Sequence, residues 1–431
     1  MKNIGLDIGT TTISAVMLEN GHFSGSITVA NDSKISDGSF RMQDPDRIYE
    51  LCVSVLNDLG VNDADSISLT GQMHGIVYID KYGRSCGPAV SWQDQRGNDL
   101  YCENETYSSA LGRITGYKLS TGFGTVTLFH DTVNGILPTN TRYICTIPDY
   151  IAMRLAETEQ PVLHPSMAQS IGCFDMLTGL FDLKKLAEAG IDITLFPQVN
   201  DRVISIGQYS GGPQIFTAIG DNQASVYGAC RGRSKLLANI GTGSQISMIS
   251  DEYRELSGLE TRPYLDGEFL ISGNSLCGGS SFDILTGLVN EVIDLFVSVP
   301  QEQLLKILDE LALKSGKDKD LKVDTRFRGT REEPEIRGSI TGITNENFTL
   351  GKLSYAFADG VCRELYDFYT LMPDADSLTA MSVSGNAVRN SKLYRKCLSQ
   401  YFKEKEIMMS EYREEAAYGA ALYAFEKENT F

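Results

Sequence analysis

The sequence is poor in the features that mark several classes of protein. Its nine cysteines, at 52, 86, 102, 145, 173, 230, 277, 362 and 397, contain no Cys-x-x-Cys pair and are odd in number. That excludes a disulfide framework and a zinc cage, and it predicts reduced thiols. Proline is scarce, 12 against 41 glycines, at an ordinary apolar content of 42%, so tight turns between regular elements are expected rather than disorder or a collagen-like repeat. Basic charge is in deficit. The 38 Lys and Arg against 56 Asp and Glu leave a net charge of −18, which cannot displace counterions from nucleic acid or hold an anionic lipid surface. Small or neutral partners are expected, with no nucleic acid and no membrane. No run of about 18 uncharged apolar residues exists, and Asp7 interrupts the apolar run that starts at Ile4. Neither a spanning helix nor a signal peptide is expected, and the reading is of a cytoplasmic protein.

What is present begins with length. The 431 residues exceed the roughly 250 to 300 at which one core stops growing, so two domains are expected. The opening MKNIGLDIGTTTISAVMLENGHFSGSITVA reads as a three-stranded meander with turns at Gly9–Thr12 and Asn20-Gly21. A helix follows from Asp44-Pro45 to Gly60 with apolar residues at a period of 3.6, then a short strand from Ile67 to Thr70. The segment LLANIGTGSQISMIS aligns Ile240-Gly241-Thr242 with Ile8-Gly9-Thr10. Further elements repeat in order: a strand from Gln214 to Ile219, Gly220-Asp221 and a helix from Asn222, against a strand from Leu378 to Val383, the small-residue loop Gly385-Asn386-Ala387, a helix from about Ser391, a strand from Glu406 to Met409 and a helix from Glu411. This predicts two α/β halves, 1–232 and 233–431, joined near Arg231-Gly232-Arg233, with a ligand cleft between them.

Asp7 lies between Leu6 and Ile8 in a central strand, where an unpartnered carboxylate would cost several kcal/mol. Its partner is either a metal such as magnesium or a Lys or Arg of the protein. Gly9, Thr10, Thr11 and Thr12 form a turn whose amides and hydroxyls suit phosphate oxygens. The second turn, Gly241-Thr242-Gly243-Ser244, repeats the device, so the pair suits one polyphosphate. Neither Gly316-Lys317 nor Gly351-Lys352 continues into a P-loop, and no Gly-x-Gly-x-x-Gly follows the first strand, which excludes a P-loop enzyme and disfavours a dinucleotide oxidoreductase. Asp221, at a strand's carboxyl end, is either a general base or a helix N-cap. Gln72, Met73 and His74 occupy a loop that suits polyol hydroxyls, although a lone His is more often structural. Trp92, the single tryptophan, with Asp94 and Arg96, reads either as an apolar face plus hydroxyl-binding pair for a sugar or as a core Trp beside a surface ion pair. Gly278-Gly279 and Gly385-Asn386 are either nucleotide-approaching loops or plain turns. The charged run from Lys314 to Lys322 reads as a solvated loop.

Together, IGLDIGTT, GQMHG, SWQDQR, IPDYIAMRL, SMAQSIGCFD, GDNQAS, NIGTGS, SGNA and AAYGAALYA resemble the FGGY carbohydrate kinases along nearly the whole chain. GQMHG is similar to the xylulokinase members. Trp92-Gln93-Asp94, Thr121 to Thr125, Asp221 to Ser225 and Asn239 to Thr242 look most like the sedoheptulokinase members. The resemblance implies two ribonuclease H-like domains of the actin type, MgATP and a ketose as ligands, and a homodimer as one possible assembly. It implies Asp221 as base and Asp7 as magnesium-positioning group. Thr10, Thr11, Thr12, Gly241 and Thr242 would hold the β- and γ-phosphates, and Gly278, Gly279, Gly385 and Asn386 would bound the nucleotide. Gln72, Met73, His74, Trp92, Asp94, Arg96 and Asn222 would serve the sugar. Ser384, Lys352 and Asp359 depart from the family's usual residues. A chaperone-type ATPase of the same superfold would need a peptide-binding domain, which this reading does not expect, and a silent sugar-binding regulator would not need both Asp7 and Asp221.

Overall fold

In a computed structural model, residues 1–428 are described except 39, 331, 332 and 334. The chain divides into two compact units, Met1–Gly228 with Arg262–Phe269 and Glu414–Phe431, and Ala229–Thr261 with Leu270–Arg413. This is not the single cut near 232 that the sequence repeat suggests, since two later segments return to the first unit.

The first unit is built on a sheet of β1 (Lys2–Ile8), β2 (Thr12–Glu19), β3 (His22–Ala30), β4 (Ser66–Gly71), β5 (Ser205–Gln208), β6 (Gln214–Phe216) and β7 (Ile219–Gly220). Its order is β5-β6-β4-β1-β2-β3, with β7 also on β4. The expected meander is therefore present, and β1 runs parallel to β4. Ile4, Leu6, Ile8, Ile67 and Leu69 are buried on one face and Asn3, Ser66, Ser68 and Thr70 on the other, so β1 and β4 are covered on both faces. The expected strand from Gln214 to Ile219 is broken at Thr217-Ala218 into β6 and β7. The helices used below are α1 (Pro45–Asp58), α2 (Gly124–Val133), α3 (Pro165–Ile171) and α4 (Asp221–Cys230). Asp44 caps α1 by accepting the N–H groups of Asp46 and Arg47, and Gly60 beyond its end is left-handed at φ 83°.

A second sheet, in the second unit apart from Arg262, Pro263 and Phe269, repeats the plan with β8 (Leu236–Ile240), β9 (Ser244–Ser250), β10 (Glu260–Pro263), β11 (Phe269–Ser275), β12 (Ala380–Ser384) and β13 (Glu406–Met409), in the order β10-β11-β9-β8-β12-β13. As in the first unit, a hairpin (β8, β9) has a parallel strand (β12) on its other side. The repeat reaches single glycines. Gly71 at the end of β4 and Gly385 just after β12 both have positive φ, and a Cβ on either would lie 2.5 or 2.3 Å from the carbonyl oxygen of Ile8 or Ile240 respectively. Helices α5 (Ser281–Ile293), α6 (Leu350–Thr370) and α7 (Asn386–Asn390) belong here. The last helix, α8 (Glu415–Glu428), groups with the first unit. Its backbone lies directly on β1 and α4, because a Cβ on Gly5 would sit 1.8 Å from the oxygen of Ala417, and one on Gly419 would sit 1.9 Å from that of Ala224. No helix among the described residues is long and apolar enough to cross a membrane.

Candidate active site

Three parallel strands of the first unit end at one level. Thr70 of β4 lies opposite Asp7 of β1 and Ile219 of β7, and Gly71 lies opposite Ile8 and Gly220. The chain therefore leaves the sheet at three neighbouring points carrying Asp7 and the Gly9–Thr11 turn, the loop from Gln72, and Asp221. Carboxyl ends of parallel strands are where α/β ligand sites form. Three buried polar atoms around these ends, Thr70 Oγ1, Gln72 Nε2 and Gln223 Oε1, have no hydrogen-bond partner among the described residues. Such groups can be met by a ligand or by water.

The two carboxyls interact. Burial is the main force that lifts Asp221 to about 6, against the N–H of Asn222 and the positive charge of Arg262. Burial and then the charge of Asp221 lift Asp7 to about 7. Asp221 thus ionises first and makes the second ionisation harder. The Asp7 carboxylate accepts no hydrogen bond from any described residue, so of the two partners considered for it, a protein Lys or Arg is not the one found. A magnesium ion, which takes one or two carboxylates and completes its shell with water and phosphate oxygens, fits this pair. Asp221 is not an ordinary helix cap either. It accepts the N–H of Asn222, the next residue, at 2.7 Å, whereas a cap serves donors two or three residues on.

The Gly9–Thr12 turn and the loops that carry Gln72 and Trp92 are joined by one hydroxyl. Thr10 Oγ1 donates to Gln72 Oε1 at 3.2 Å and accepts from Trp92 Nε1 at 2.9 Å. Thr11 is exposed, and Thr12, also exposed, opens β2. Met73 is buried with its Sδ against Gly220, 2.8 Å from where a Cβ would stand. His74 holds a left-handed φ of 63°, and its Nδ1 donates to the carbonyl of Ser170 at 2.8 Å. Asn222 is half-buried beside Asp221.

Trp92, Asp94 and Arg96 reverse the expectation. The indole is 44% exposed, while the ion pair is the buried part. Asp94 accepts from the backbone of Arg41 and Arg96 and from Arg96 Nε, and Arg96 Nη1 bonds both oxygens of Asp131, which also accepts from Tyr78. These groups are bound to one another inside the protein, so Asp94 and Arg96 hold the loop that presents Trp92, and neither stands open as the hydroxyl-binding pair first expected.

Other residues, not evident from spacing, fix the site. On α3, Ser166 Oγ accepts the N–H of Gly220 while pairing with His164 Nδ1, and Ser170 Oγ accepts the N–H of His74. One helix thereby sets both the base of Asp221 and the His74 loop. Asn31 Nδ2 donates to the carbonyl of Gly9 and pins the first turn. Only SMAQS, containing both serines, carried any sign of this in the sequence.

In the second unit, the turn Gly241–Gly243 is overlaid by Gly278 to Ser280. The amides of Gly278 and Gly279 donate to Thr242 and Gly241 carbonyls at 3.0 and 2.8 Å, and a Cβ on Gly278 would lie 2.2 Å from the oxygen of Gly243. These glycines are required by backbone against backbone, and their amides serve the turn itself. Gly385 caps a helix rather than a loop, with Asn386 and Ala387 in the first turn of α7. Ser384 is buried and accepts from Asn239 Nδ2 at 2.7 Å, tying β12 to β8 just below the turn. Lys352 and Asp359 face the run thought to be merely solvated: Lys317 pairs with Asp359 at 2.6 Å and Lys352 with Asp318 at 4.0 Å.

Residues 3–230 match the FGGY family of carbohydrate kinases, N-terminal domain. The chain is similar to sedoheptulokinase of Mus musculus, 25% identical over 477 residues that cover 99% of this chain and 97% of that protein. It is similar to xylulose kinase of Staphylococcus xylosus, 26% identical over 274 residues, 60% of this chain and 53% of that one. The solved xylulose kinase from Rhodospirillum rubrum superposes with a TM-score of 0.85 at 19% identity, covering 99% of this chain and 90% of that one, which gives the fold as the pair of actin-like, ribonuclease H-like halves. With more than half its length matched, the chain belongs to the FGGY family of carbohydrate kinases, phosphotransferases that use ATP and act on sugar hydroxyl groups.

Proposed function

We propose that this chain transfers the γ-phosphate of ATP to the terminal hydroxyl of a ketose, with sedoheptulose giving sedoheptulose 7-phosphate. The observation that carries the chemistry is the Asp7 and Asp221 pair at adjoining strand ends, surrounded by buried polar atoms that lack protein partners. The carboxylate of Asp221 takes the hydroxyl proton as the sugar oxygen bonds to the γ-phosphorus, and the bond from that phosphorus to the bridging oxygen breaks to leave ADP. Magnesium, held by Asp7 with phosphate oxygens, would neutralise charge on the transferring group. Thr10, Thr11 and Thr12 are assigned to phosphate oxygens, as are Gly241 and Thr242, with Gly385 and Asn386 beside the nucleotide. Gln72, Met73, His74, Trp92 and Asn222 are assigned to the sugar. On this reading the first unit carries acceptor and base and the second the nucleotide.

Sedoheptulose is favoured because its kinase in Mus musculus aligns with this chain end to end. Xylulose is the second reading, supported by GQMHG and by the xylulose kinase likenesses. A coupled assay of ADP formation over ketoses and polyols tests both. The expected result is the highest kcat/KM with sedoheptulose. A preference for xylulose would replace the substrate, and no sugar-dependent ADP from any of them would overturn the proposal.

A further inference from the structure

The hydroxyl of Thr10 has one proton, and the structure gives it to Gln72 Oε1. Trp92 Nε1 occupies one of its two lone-pair directions. To donate to a phosphate oxygen, Thr10 must leave Gln72. That exposes Oε1 of an amide that is only 5% accessible and whose Nε2 already has no partner among the described residues. A ligand bearing adjacent hydroxyls answers both amide atoms at once, one hydroxyl donating to Oε1 and one accepting from Nε2. Phosphate and polyol therefore compete with the same Thr10 to Gln72 bond from opposite ends. Whichever ligand binds first breaks it, and the second does not have to.

From this we propose that Thr10 and Gln72 form a hydrogen-bond exchange by which nucleotide and sugar each favour the other's binding. The inference rests on the kinase reading above. Trp92 steadies the pivot, since its N–H holds Thr10 Oγ1 in place while the proton swings between partners. Neither the order of motifs nor their spacing contains this link, which exists because the β1–β2 turn and the loops after Gly71 and Ser91 meet at one atom. The coupling should equal the net worth of one hydrogen bond, about two- to tenfold in affinity, and should be reciprocal.

Trp92 is the single tryptophan, so its fluorescence reports on the site. Sugar dissociation constants would be measured for whichever of sedoheptulose or xylulose the chain phosphorylates. Each would be taken with and without a saturating β,γ-imido ATP analogue and magnesium, with calorimetry as a second readout. The sugar should bind about two- to tenfold more tightly with the analogue present. Thr10→Val should lower that factor by the same amount, Thr10→Ser should restore it, and Gln72→Leu should abolish it independently of any folding defect in the first variant. Wild-type coupling of one, or full coupling retained in both Thr10→Val and Gln72→Leu, would overturn the exchange while leaving the kinase reading intact. Failure to phosphorylate any sugar would take both down.

Discussion

Burial sets the ionisation of Asp221 at about 6, which makes it a carboxylate at neutral pH with more basicity than a solvated one. If it removes the sugar's proton, kcat/KM should fall as pH drops through about 6, about tenfold per unit below that, and a rate profile flat down to pH 5 would argue against it. Asp7 leads to a second expectation. A carboxyl whose pKa is raised by folding binds more protons folded than unfolded between the ordinary value of 3.8 and about 7. Stability is therefore lost as pH rises through that window. Asp7→Asn should accordingly raise the melting temperature at pH 8, with the gain shrinking towards pH 4, while turnover and its magnesium dependence collapse. A variant less stable than wild type at pH 8 would mean the carboxylate has a partner that the structure does not contain. The residues that the sequence made legible here were those whose chemistry is local: an Asp in a strand core, a Gly/Thr turn, an Asp after a strand. Asp94 and Arg96 were misread because their partners Asp131, Tyr78 and Arg41 come from distant segments, and sequence spacing records only their mutual distance along the chain.

The elements that support the site show the same division between what is local and what is not. The opening meander and the repeated Gly/Thr turns were readable because turn chemistry is short-range. The return of α8 to the first unit was not, since it depends on Gly5, Gly228 and Gly419 letting backbones touch. A sequence shows those positions only as glycines. They make a sharp test. Gly5→Val would drive a side chain into the Ala417 carbonyl and should cost at least ~3 kcal/mol, lowering the melting temperature by about 6 °C or more. Gly287→Ala, on an exposed face of α5 with nothing within 4 Å of the new carbon, should instead stabilise by about 0.5 to 1 kcal/mol. Thermal melts of the two would contradict the packing account if Gly5→Val were neutral or Gly287→Ala destabilising. At the end of β12, the expected small-residue loop proved to be the start of a helix, because Gly385 at φ 96° turns the chain directly into α7 and leaves no loop to form.

For the molecule entire, the repeat gives 431 residues two equivalent strand-turn-strand devices that differ at the position of the acid. Asp7 in β1 stands where Asn239 stands in β8, one residue before Ile8 or Ile240 and opposite Thr70 or Ser384 in the parallel neighbour. The second unit fills that position with an amide that bonds Ser384, a structural use, while the first keeps an unpaired carboxylate next to Asp221. Acid chemistry is thus concentrated in the unit that also holds Gln72, His74 and Trp92, as expected if one half prepares the alcohol and the other serves the nucleotide. The most direct test is single-turnover and steady-state phosphorylation of sedoheptulose by wild type and Asp221→Asn, with MgATP affinity measured in parallel. A loss of roughly 10² to 10⁴ in turnover at nearly unchanged MgATP affinity is predicted. Near-normal turnover in Asp221→Asn would contradict the assignment of this carboxylate as the base.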